Sequence, residues 1–483
     1  MLIALNPYQD HYNPLTLDSA HRNDNCYPLY RIVYESVRQQ SETGYPQVII
    51  LSGISGSGKT YASMTILRQL FNLIGGGPET DSFKHLAAAF TVLRSLGSAS
   101  TAENSESSRI GNFIEIQIQD GAIYRTKIHC YFLDQSRVVK TSIVGGNGER
   151  NYHIFYQMLL GLSLNEKTKL YLDGYNLNDF DYLYNNNQYQ QQEFDQQTIE
   201  NHQNRFEAWK SCLSVLGIPF MDVARILAAI LLLGNIHYSS NDHQDNDNPG
   251  NDNDNLFNKK ELHAVASLLG ISTAHLHRGL TQQNLPSSSS SDNKHHGQIL
   301  VVRRNLKNFQ MTRDSLAKAL YARTVATIIR RANSSKRLKS NSCTTSSESN
   351  DSTHHHQHLE TSSHHQAASS IGSACGKSYK SMAILQQALR YSSMEGFIGI
   401  LDMFGFEDSR PSRLEQLCIN LCSETMQHFY NTHIFKSSLE SCRDEGIKPD
   451  LEIDYVDNVP CIDLISSLVS FFLFLLIDLI FDF

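Results

Sequence analysis

The sequence predicts an α/β fold in which helices flank a central sheet. Two short apolar segments typical of buried strands, 47–53 (QVIILSG) and 396–402 (GFIGILD), alternate along the chain with longer amphipathic segments typical of helices. A third segment, 113–133, alternates apolar and polar residues on both sides of Asp120 and Gly121, which predicts a β-hairpin with a tight turn. Strands that alternate with helices favour an α/β core.

The composition limits the partners and the setting. The 483 residues carry a formal net charge of −8, so no bulk basic field indicates a nucleic-acid partner. Nine cysteines are scattered without a CxxC pair, and this usage favours a reduced, intracellular setting. The atypical apolar tail at 469–483 is interrupted by Asp478 and Asp482. Because a membrane span needs about 20 mostly apolar residues, we do not expect a membrane partner.

The stretch GISGSGKT, residues 53–60, lies between the first strand and a helical segment at 60–75. It matches the phosphate-binding pattern G-x-x-x-x-G-K-[ST], which requires a strand before it and a helix after it. A glycine-rich turn that binds nothing is the alternative interpretation. The strand and the helix on either side favour a phosphate site.

Each residue type in this stretch suits phosphate binding. Gly53, Gly56 and Gly58 allow backbone N–H groups to turn towards phosphate oxygens without Cβ clashes. The start of the following helix adds the positive end of its dipole. Lys59 would neutralise the β- and γ-phosphates, and the Thr60 hydroxyl would bind Mg²⁺.

The segment 104–111, NSESSRIG, carries groups that could sense a terminal phosphate. Of the adjacent hydroxyls of Ser107 and Ser108, one could serve a water or γ-phosphate oxygen and the other Mg²⁺. Arg109 supplies a fixed positive charge. For the serine pair alone, a polar loop before a strand is the simpler interpretation.

A second such segment is 401–407, LDMFGFE, at the end of the strand GFIGILD. Open α/β sheets bind ligands at the carboxyl ends of their strands, where this segment falls. Asp402 could hold Mg²⁺ through water, and Gly405 could offer its backbone N–H to the γ-phosphate. Glu407 could pair with Arg109 and close the site. A core strand that ends in a plain turn is the alternative.

Three polar stretches interrupt the periodic pattern, and we expect each to be a disordered insertion. They are 239–258, 287–296 and 334–373. The first is rich in Asn and Asp, but Pro249 and Leu256 stand where calcium ligands would be needed. The long helical patterns are 204–233, 315–333 and 414–436.

Asn104, Ser107, Ser108 and Arg109 form the pattern N-x-x-S-S-R, which resembles the switch I pattern of myosins and kinesins. The continuation SSRIGNFIEIQ and the segment LDMFGFE are similar to the myosin sequences and differ from the kinesin ones. Further stretches follow the myosin order: ALNPYQ, FLDQSRVV, GERNYHIFYQML, RILAAILLLGNIHY, DSLAKALYART, LEQLCIN and PCIDLI. The chain therefore resembles the motor head of an unconventional myosin.

The resemblance implies the fold class in more detail. It implies a P-loop NTPase core whose central sheet is mixed, mostly parallel and twisted, with helices on its faces. Residues 1–468 would form part of a motor domain, with the nucleotide-binding core, an upper 50K-like subdomain and part of a lower one. We see no pattern of a converter or lever arm, so we expect an incomplete head that needs no light chains.

The resemblance also implies the activity. The chain would be a Mg-dependent ATPase of the P-loop NTPase type, with ATP and Mg²⁺ as cofactors and actin filaments as partner. Its location would be cytoplasmic and associated with the cytoskeleton. A nucleotide-binding scaffold without motility is the alternative, because binding and hydrolysis could exist without a stroke.

The same resemblance implies three sets of site residues. The catalytic set is Ser55, Lys59, Ser107, Arg109, Gly405 and Glu407. The nucleotide-contacting set is Asn6, Pro7, Tyr8, Gly53, Ile54, Ser55, Gly56, Ser57, Gly58, Lys59, Thr60, Asn104, Ser107 and Ser108. The metal set is Thr60, Ser108 and Asp402.

Five positions depart from the myosin pattern. Ile54, Ser57, Glu106, Ile110 and Asn112 stand where the family has Glu, Ala, Asn, Phe and Lys. Glu106 adds negative charge near a polyanion, so we expect weaker nucleotide binding unless its carboxylate points away from the phosphates.

Overall fold

The structure is a computed structural model. It describes residues 27–77, 79–119, 121–139, 149–183, 194–237, 259–286, 299–334, 396–408, 412–447 and 456–467. Several predictions concern residues outside these ranges: Asn6, Pro7, Tyr8, the insertions 239–258 and 287–296, all but the first residue of the insertion 334–373, and the tail 469–483.

Helices and strands alternate as the sequence predicts. The helices are α1 (Tyr27–Thr43), α2 (Lys59–Ile74), α3 (Asp81–Gly97), α4 (His153–Gly161), α5 (Leu164–Lys169), α6 (Gln196–Val215), α7 (Phe220–Gly234), α8 (Lys259–Leu269), α9 (Thr273–Thr281), α10 (Leu306–Ser334), α11 (Leu414–Tyr430) and α12 (Ser437–Asp444). The strands are β1 (Gln47–Leu51), β2 (Ser98–Ala99), β3 (Ser107–Ser108), β4 (Gly111–Gln119), β5 (Ala122–Tyr131), β6 (Gln282–Pro286), β7 (Ile299–Arg303) and β8 (Phe397–Asp402). A π-helical turn, Asn431–Lys436, joins α11 to α12.

The main sheet has four described strands in the order β1-β8-β4-β5. β1 runs parallel to β8, whereas β8 with β4 and β4 with β5 are antiparallel. The predicted α/β fold with a mixed sheet and flanking helices is therefore confirmed, but among the described strands antiparallel pairings outnumber the parallel one, so the expectation of a mostly parallel sheet is wrong for them. The predicted hairpin at 113–133 is β4 and β5, and Gly121 has a φ of 75°, as a tight turn requires.

The register of this sheet explains why distant residues meet. Asp402, the last residue of β8, lies opposite Leu51, the last residue of β1, and also opposite Asn112 near the start of β4. The loop after β1, the loop after β8 and the loop before β4 therefore leave the sheet at the same edge. Three segments that the sequence places far apart converge there.

Strand β1 is less buried than its apolar sequence predicts. Ile49 is buried, but Val48 and Ile50 are 48% and 40% exposed. Successive side chains of a strand point to opposite faces, and α1 and α2 both contact β1. Val48 and Ile50 point to the opposite face from Ile49 and are covered by little of the described chain.

The helical pattern predicted at 204–233 is two helices, not one. α6 ends at Val215 and α7 begins at Phe220. Between them, Gly217 has a φ of 67°, which L-residues rarely adopt, and Pro219 precedes the first residue of α7. A proline cannot continue a helix from the preceding turn, so the chain breaks there.

Helices α3, α4 and α6 pack against one another beside the main sheet. Phe206 and Trp209 of α6 stack on each other with 5.6 Å between ring centroids, and both are fully buried. β2 and β3 form a short antiparallel ribbon at the end of α3, in which Ser98 lies opposite Ser108. Within the described ranges, no helix has the length and apolarity needed to span a bilayer.

Candidate functional site

The phosphate loop, residues 53–60, connects β1 to α2. Gly53, Gly56 and Gly58 have φ angles of 153°, 78° and 92°. These values favour glycine, because a Cβ would strain the backbone there. Gly58 precedes α2, whose first residue is Lys59. The backbone therefore has the turn that the glycine spacing predicts.

The side chain of Lys59 turns back and contacts the backbone of the phosphate loop. Its Nζ donates hydrogen bonds to the carbonyl oxygens of Gly53, at 2.9 Å, and of Ile54, at 2.8 Å. Burial lowers the pKa of Lys59, while the nearby carboxylates of Asp402 and Glu407 oppose that shift. Among the described residues, the hydrogen bonds of the ammonium go to two carbonyl oxygens, which a phosphate could replace.

Two hydroxyl pairs join the phosphate loop to the serine loop, residues 104–110. The Oγ atoms of Ser55 and Ser107 are 3.4 Å apart. The Oγ1 of Thr60 and the Oγ of Ser108 are 3.5 Å apart. The sequence predicts these four hydroxyls as phosphate and metal contacts, and the structure brings them together in pairs.

Asp402 completes an oxygen cluster with Thr60 and Ser108. The carboxyl group lies near the Thr60 hydroxyl and is only 3% exposed. Burial raises the pKa of Asp402 to about 6, against the lowering effects of Thr60 and of the charge on Lys59. Its Oδ2 has no hydrogen-bond partner among the described residues.

This cluster fits a magnesium ion. Mg²⁺ prefers carboxylate and hydroxyl oxygens and usually keeps several waters of its own. A buried carboxylate oxygen without a partner is costly, and a cation there would satisfy it. The donor set at Thr60, Ser108 and Asp402 therefore matches the metal that the sequence predicts.

Arg109 and Glu407 form a buried ion pair between the serine loop and the loop after β8, residues 403–408. Nη1 of Arg109 donates to Oε2 of Glu407 at 3.3 Å, and Nη2 donates to Oε1. Nη2 also donates to the Oγ of Ser107. The side chains of Arg109 and Glu407 are 1% and 7% exposed. The pair that the sequence predicts to close the site is formed in this structure.

Gly405 lies directly against the phosphate loop. A Cβ at Gly405 would stand 2.2 Å from the carbonyl carbon of Ile54 and from the nitrogen of Ser55. The next residue along, Phe406, accepts a hydrogen bond at its carbonyl oxygen from the Ser55 N–H, at 3.2 Å. Only glycine fits this approach of two backbones.

Asn420 is a site residue that the sequence analysis missed. It lies on α11 and makes two hydrogen bonds to the backbone of Glu407. Its Oδ1 accepts from the Glu407 N–H at 2.9 Å, and its Nδ2 donates to the Glu407 carbonyl at 2.8 Å. The stretch LEQLCIN contains it, but a lone Asn on a helix carries no chemical pattern. Only the fold shows that it reaches residues 403–408.

The departures from the myosin pattern have different surroundings. Ile54 is 58% exposed on the phosphate loop, whereas Ile110 is buried. Asn112 is also buried, and its Oδ1 accepts from the Sγ of Cys130 at 3.2 Å. Asn104 lies beside Gly56, and its Oδ1 accepts from the N–H of Glu106 at 3.0 Å.

The carboxylate of Glu106 points away from the phosphate loop. It accepts from Nη2 of Arg94 on α3, at 3.4 Å, and from Nη1 of Arg205 on α6. Burial alone would raise the pKa of Glu106, but His153, Arg94 and Arg205 lower it to about 2. Its negative charge is therefore met by cations on these helices, and the expected penalty on nucleotide binding does not apply to this arrangement.

Comparison with known proteins agrees with this geometry. The profile of the family Myosin head (motor domain) matches residues 1–347 and 353–478. The chain is 29% identical over 490 residues to unconventional myosin-IXAa of Danio rerio, with 97% of this chain and 17% of that protein covered. It is 30% identical over 499 residues to myosin-52 of Schizosaccharomyces pombe, with 97% and 27% covered. It is 28% identical over 482 residues to unconventional myosin-Vb of Mus musculus, with 97% and 22% covered.

The chain thus spans between 17% and 27% of the length of these three relatives. The family profile, in contrast, matches nearly all of this chain, including every loop of the site described above. The chain therefore belongs to the myosin head (motor domain) family.

Proposed function

We propose that the chain binds Mg-ATP at the phosphate loop and hydrolyses its terminal phosphate as part of an actin-based motor. The observation that carries the proposal is the buried ion pair of Arg109 and Glu407, because it joins the two loops that face the phosphate loop. Residues 403–408 also contact the phosphate loop directly, through the Ser55–Phe406 backbone hydrogen bond. An isolated phosphate loop would need no such closure.

Binding would use groups that are already in place. The glycine backbone of residues 53–58 presents N–H groups, and the start of α2 adds its dipole. Lys59 would exchange its two carbonyl contacts for the β- and γ-phosphate oxygens. An ammonium gains more from a phosphate than from a neutral carbonyl, since charge-assisted hydrogen bonds are stronger.

The metal would lie at Thr60, Ser108 and Asp402. A bound magnesium ion supplies charge neutralisation to the β- and γ-phosphate oxygens. Thr60 comes from α2, Ser108 from the serine loop and Asp402 from β8. Metal binding would therefore tie all three segments to one nucleotide.

Hydrolysis would depend on the closed ion pair. Arg109 and Glu407 are almost fully buried and would separate the terminal phosphate from bulk water. Ser107 lies between Arg109 and Ser55, with its Oγ accepting from Arg109. A hydroxyl held in this way can orient an attacking water, which is the main catalytic task in phosphoryl transfer.

Isothermal titration with Mg-ATP tests the binding site. We expect the wild-type chain to bind and Lys59→Ala to lose measurable binding. Lys84→Ala is the control, because Lys84 is 55% exposed on α3 and pairs with the exposed Glu79, at 3.2 Å. Equal affinity of the wild type and Lys59→Ala would refute the proposed site.

Membership of the family supports actin filaments as the partner. Actin filaments and a cytoskeletal location remain proposals for this chain, because its relatives are several times longer. Co-sedimentation with actin filaments, with and without Mg-ATP, tests the partner. We expect the bound fraction to fall when Mg-ATP is present, and absence of binding under both conditions would contradict it.

A further inference from the structure

We propose that Glu106 is a positioning residue that holds the serine loop against α3 and α6, and so fixes Ser107, Ser108 and Arg109 for nucleotide closure. The inference concerns the Glu106 cluster, which we define as Arg94, Glu106, His153 and Arg205. It rests on the proposed function, because closure matters only if the site takes a nucleotide.

The cluster joins the serine loop to three helices. Arg205 of α6 donates to Oε1 of Glu106, and Arg94 of α3 donates to Oε2 at 3.4 Å. The Nε2 of His153, at the start of α4, lies 3.6 Å from Oε2. The side chains of Arg94, Glu106 and Arg205 are between 20% and 23% exposed. Ion pairs at this depth are screened less by salt than exposed ones.

Glu106 and Ser107 are adjacent in the chain, but their side chains contact different parts of the structure. The Oγ of Ser107 contacts the phosphate loop at Ser55 and accepts from Arg109. The carboxylate of Glu106 contacts α3 and α6 instead. The contacts of the Glu106 carboxylate therefore restrain the backbone that carries Ser107.

The other contacts of the serine loop include two that hold its C-terminal end. The Arg109 N–H donates to the carbonyl of Gly97 at 2.7 Å, and Ser108 pairs with Ser98 in the β2–β3 ribbon. These contacts fix the end of the loop along one edge. Glu106 precedes these residues in the chain, and its side chain attaches this earlier part of the loop to Arg205 of α6.

The cluster also has room for a conservative change. It borders a cavity of about 130 Å³, lined by Thr91, Gln157 and Asn204 as well as by the cluster itself. The Nε2 of His153 and the Oε1 of Gln157 have no hydrogen-bond partner among the described residues. Glutamine at position 106 has the same shape as glutamate, so Glu106→Gln removes the charge and adds no clash.

Removing that charge should loosen the loop. In Glu106→Gln, Arg94 and Arg205 lose the carboxylate that both of them contact. Loss of the partner of a part-buried charge costs more than the pair contributed. The guanidinium groups would then separate, and the serine loop would lose its anchor on α6.

Hydrogen exchange of peptides over 101–110 tests the inference without any nucleotide. We expect roughly tenfold faster exchange in Glu106→Gln and in Arg205→Gln, within the range of coupling energies measured for paired groups. Arg205→Lys keeps the positive charge and should restore most of the protection. Glu166→Gln is the matched control, because Glu166 accepts from Lys210 of the same helix α6 and is also 20% exposed, but does not contact the serine loop.

The release rate of a fluorescent ATP analogue gives the second readout. We expect faster release and slower single-turnover hydrolysis in Glu106→Gln, with the unfolding midpoint close to that of Glu166→Gln. Unchanged exchange over 101–110 in both Glu106→Gln and Arg205→Gln would overturn the inference. A wild-type chain that binds no Mg-ATP would overturn the proposed function instead, and the exchange result would still decide whether Glu106 anchors the loop.

Discussion

Arg109 and Glu407 lie 298 residues apart in the sequence and form a buried pair, with both terminal nitrogens of the guanidinium donating to the carboxylate. Breaking a buried pair leaves one charge without compensation. The pair also joins the serine loop to residues 403–408 at the same edge of the sheet, which is the closure that the proposed function requires.

We expect Arg109→Ala and Glu407→Ala each to slow single-turnover hydrolysis roughly 100-fold or more, the size seen when one preorganised group at a transition state is lost. Mg-ATP affinity should change by less than tenfold, because Lys59 and the glycine loop remain. The double variant should be no slower than the worse single variant, since the two side chains act as one unit. Additive losses would show that the pair is not the closing element.

Asn420→Ala should reduce hydrolysis with little change in Mg-ATP affinity. The substitution removes two hydrogen bonds to the backbone of Glu407, at a cost of about 1–3 kcal/mol for the groups left unpaired. Thr425→Ala is the control, because Thr425 is exposed on the same helix α11 and its hydroxyl donates to the Leu421 carbonyl within that helix. Equal hydrolysis rates for the two variants would show that Asn420 has no role in the site.

Gly405→Ala should disrupt the site, since the new Cβ would stand 2.2 Å from two backbone atoms of the phosphate loop. We expect loss of Mg-ATP binding and a lower unfolding midpoint. Gly279→Ala is the contrasting variant: it lies in α9 with nothing within 4 Å of its Cβ. Alanine there should stabilise the helix by about 0.5–1 kcal/mol. Thermal unfolding of both variants checks the prediction.

Asp402→Asn should separate metal binding from nucleotide binding. The substitution removes the carboxylate charge beside Thr60, so the benefit of Mg²⁺ to ATP affinity should fall at least tenfold, while affinity in the presence of EDTA should not fall. Titrations with and without Mg²⁺ measure the two quantities. An unchanged Mg²⁺ effect would place the metal elsewhere.

The lowered pKa of Glu115 leads us to expect that the stability of the fold changes with pH. It lies on β4 and is buried; burial by itself raises its pKa, but hydrogen bonds from His129, Lys127 and Gln117 lower it to about 2. A folded-state pKa below the unfolded one gives stability that is present above about pH 4.5 and is lost as the pH falls towards about 2.

Urea unfolding at pH 7 and pH 3 checks this prediction. Glu115→Gln should lower the free energy of unfolding by about 1–3 kcal/mol at pH 7 and by clearly less at pH 3. Glu79→Gln is the control, because that side chain is 86% exposed. A loss of equal size at both pH values would mean that the charge of Glu115 contributes nothing.

Much of the site could be predicted from the sequence because its chemistry is carried by short local patterns. The glycines of the phosphate loop fix the backbone, and Arg109 and Glu407 each stand in a recognisable segment. Asn420 could not be found in this way, since its role depends on where α11 passes. The direction of the Glu106 side chain likewise depends on Arg94 and Arg205, which lie 12 and 99 residues away in the sequence and are brought beside it by the fold.

The fold, too, could be predicted only in part from the sequence. The strands and the hairpin follow from periodicity, but the break between α6 and α7 depends on Gly217 and Pro219 outweighing a helical pattern on both sides. The exposure of Val48 and Ile50 depends on which elements cover each face of β1, and residue periodicity does not contain that information.

Phosphate release in a single turnover of Mg-ATP, compared between the wild-type chain and Glu407→Gln, tests the central claim most directly. Glutamine keeps the shape of the side chain and removes only the charge that pairs with Arg109. We predict about one phosphate per wild-type chain and a rate at least 100-fold lower in the variant. Equal rates in the two proteins, or no phosphate above the uncatalysed background from the wild type, would contradict an ATPase closed by the Arg109–Glu407 pair.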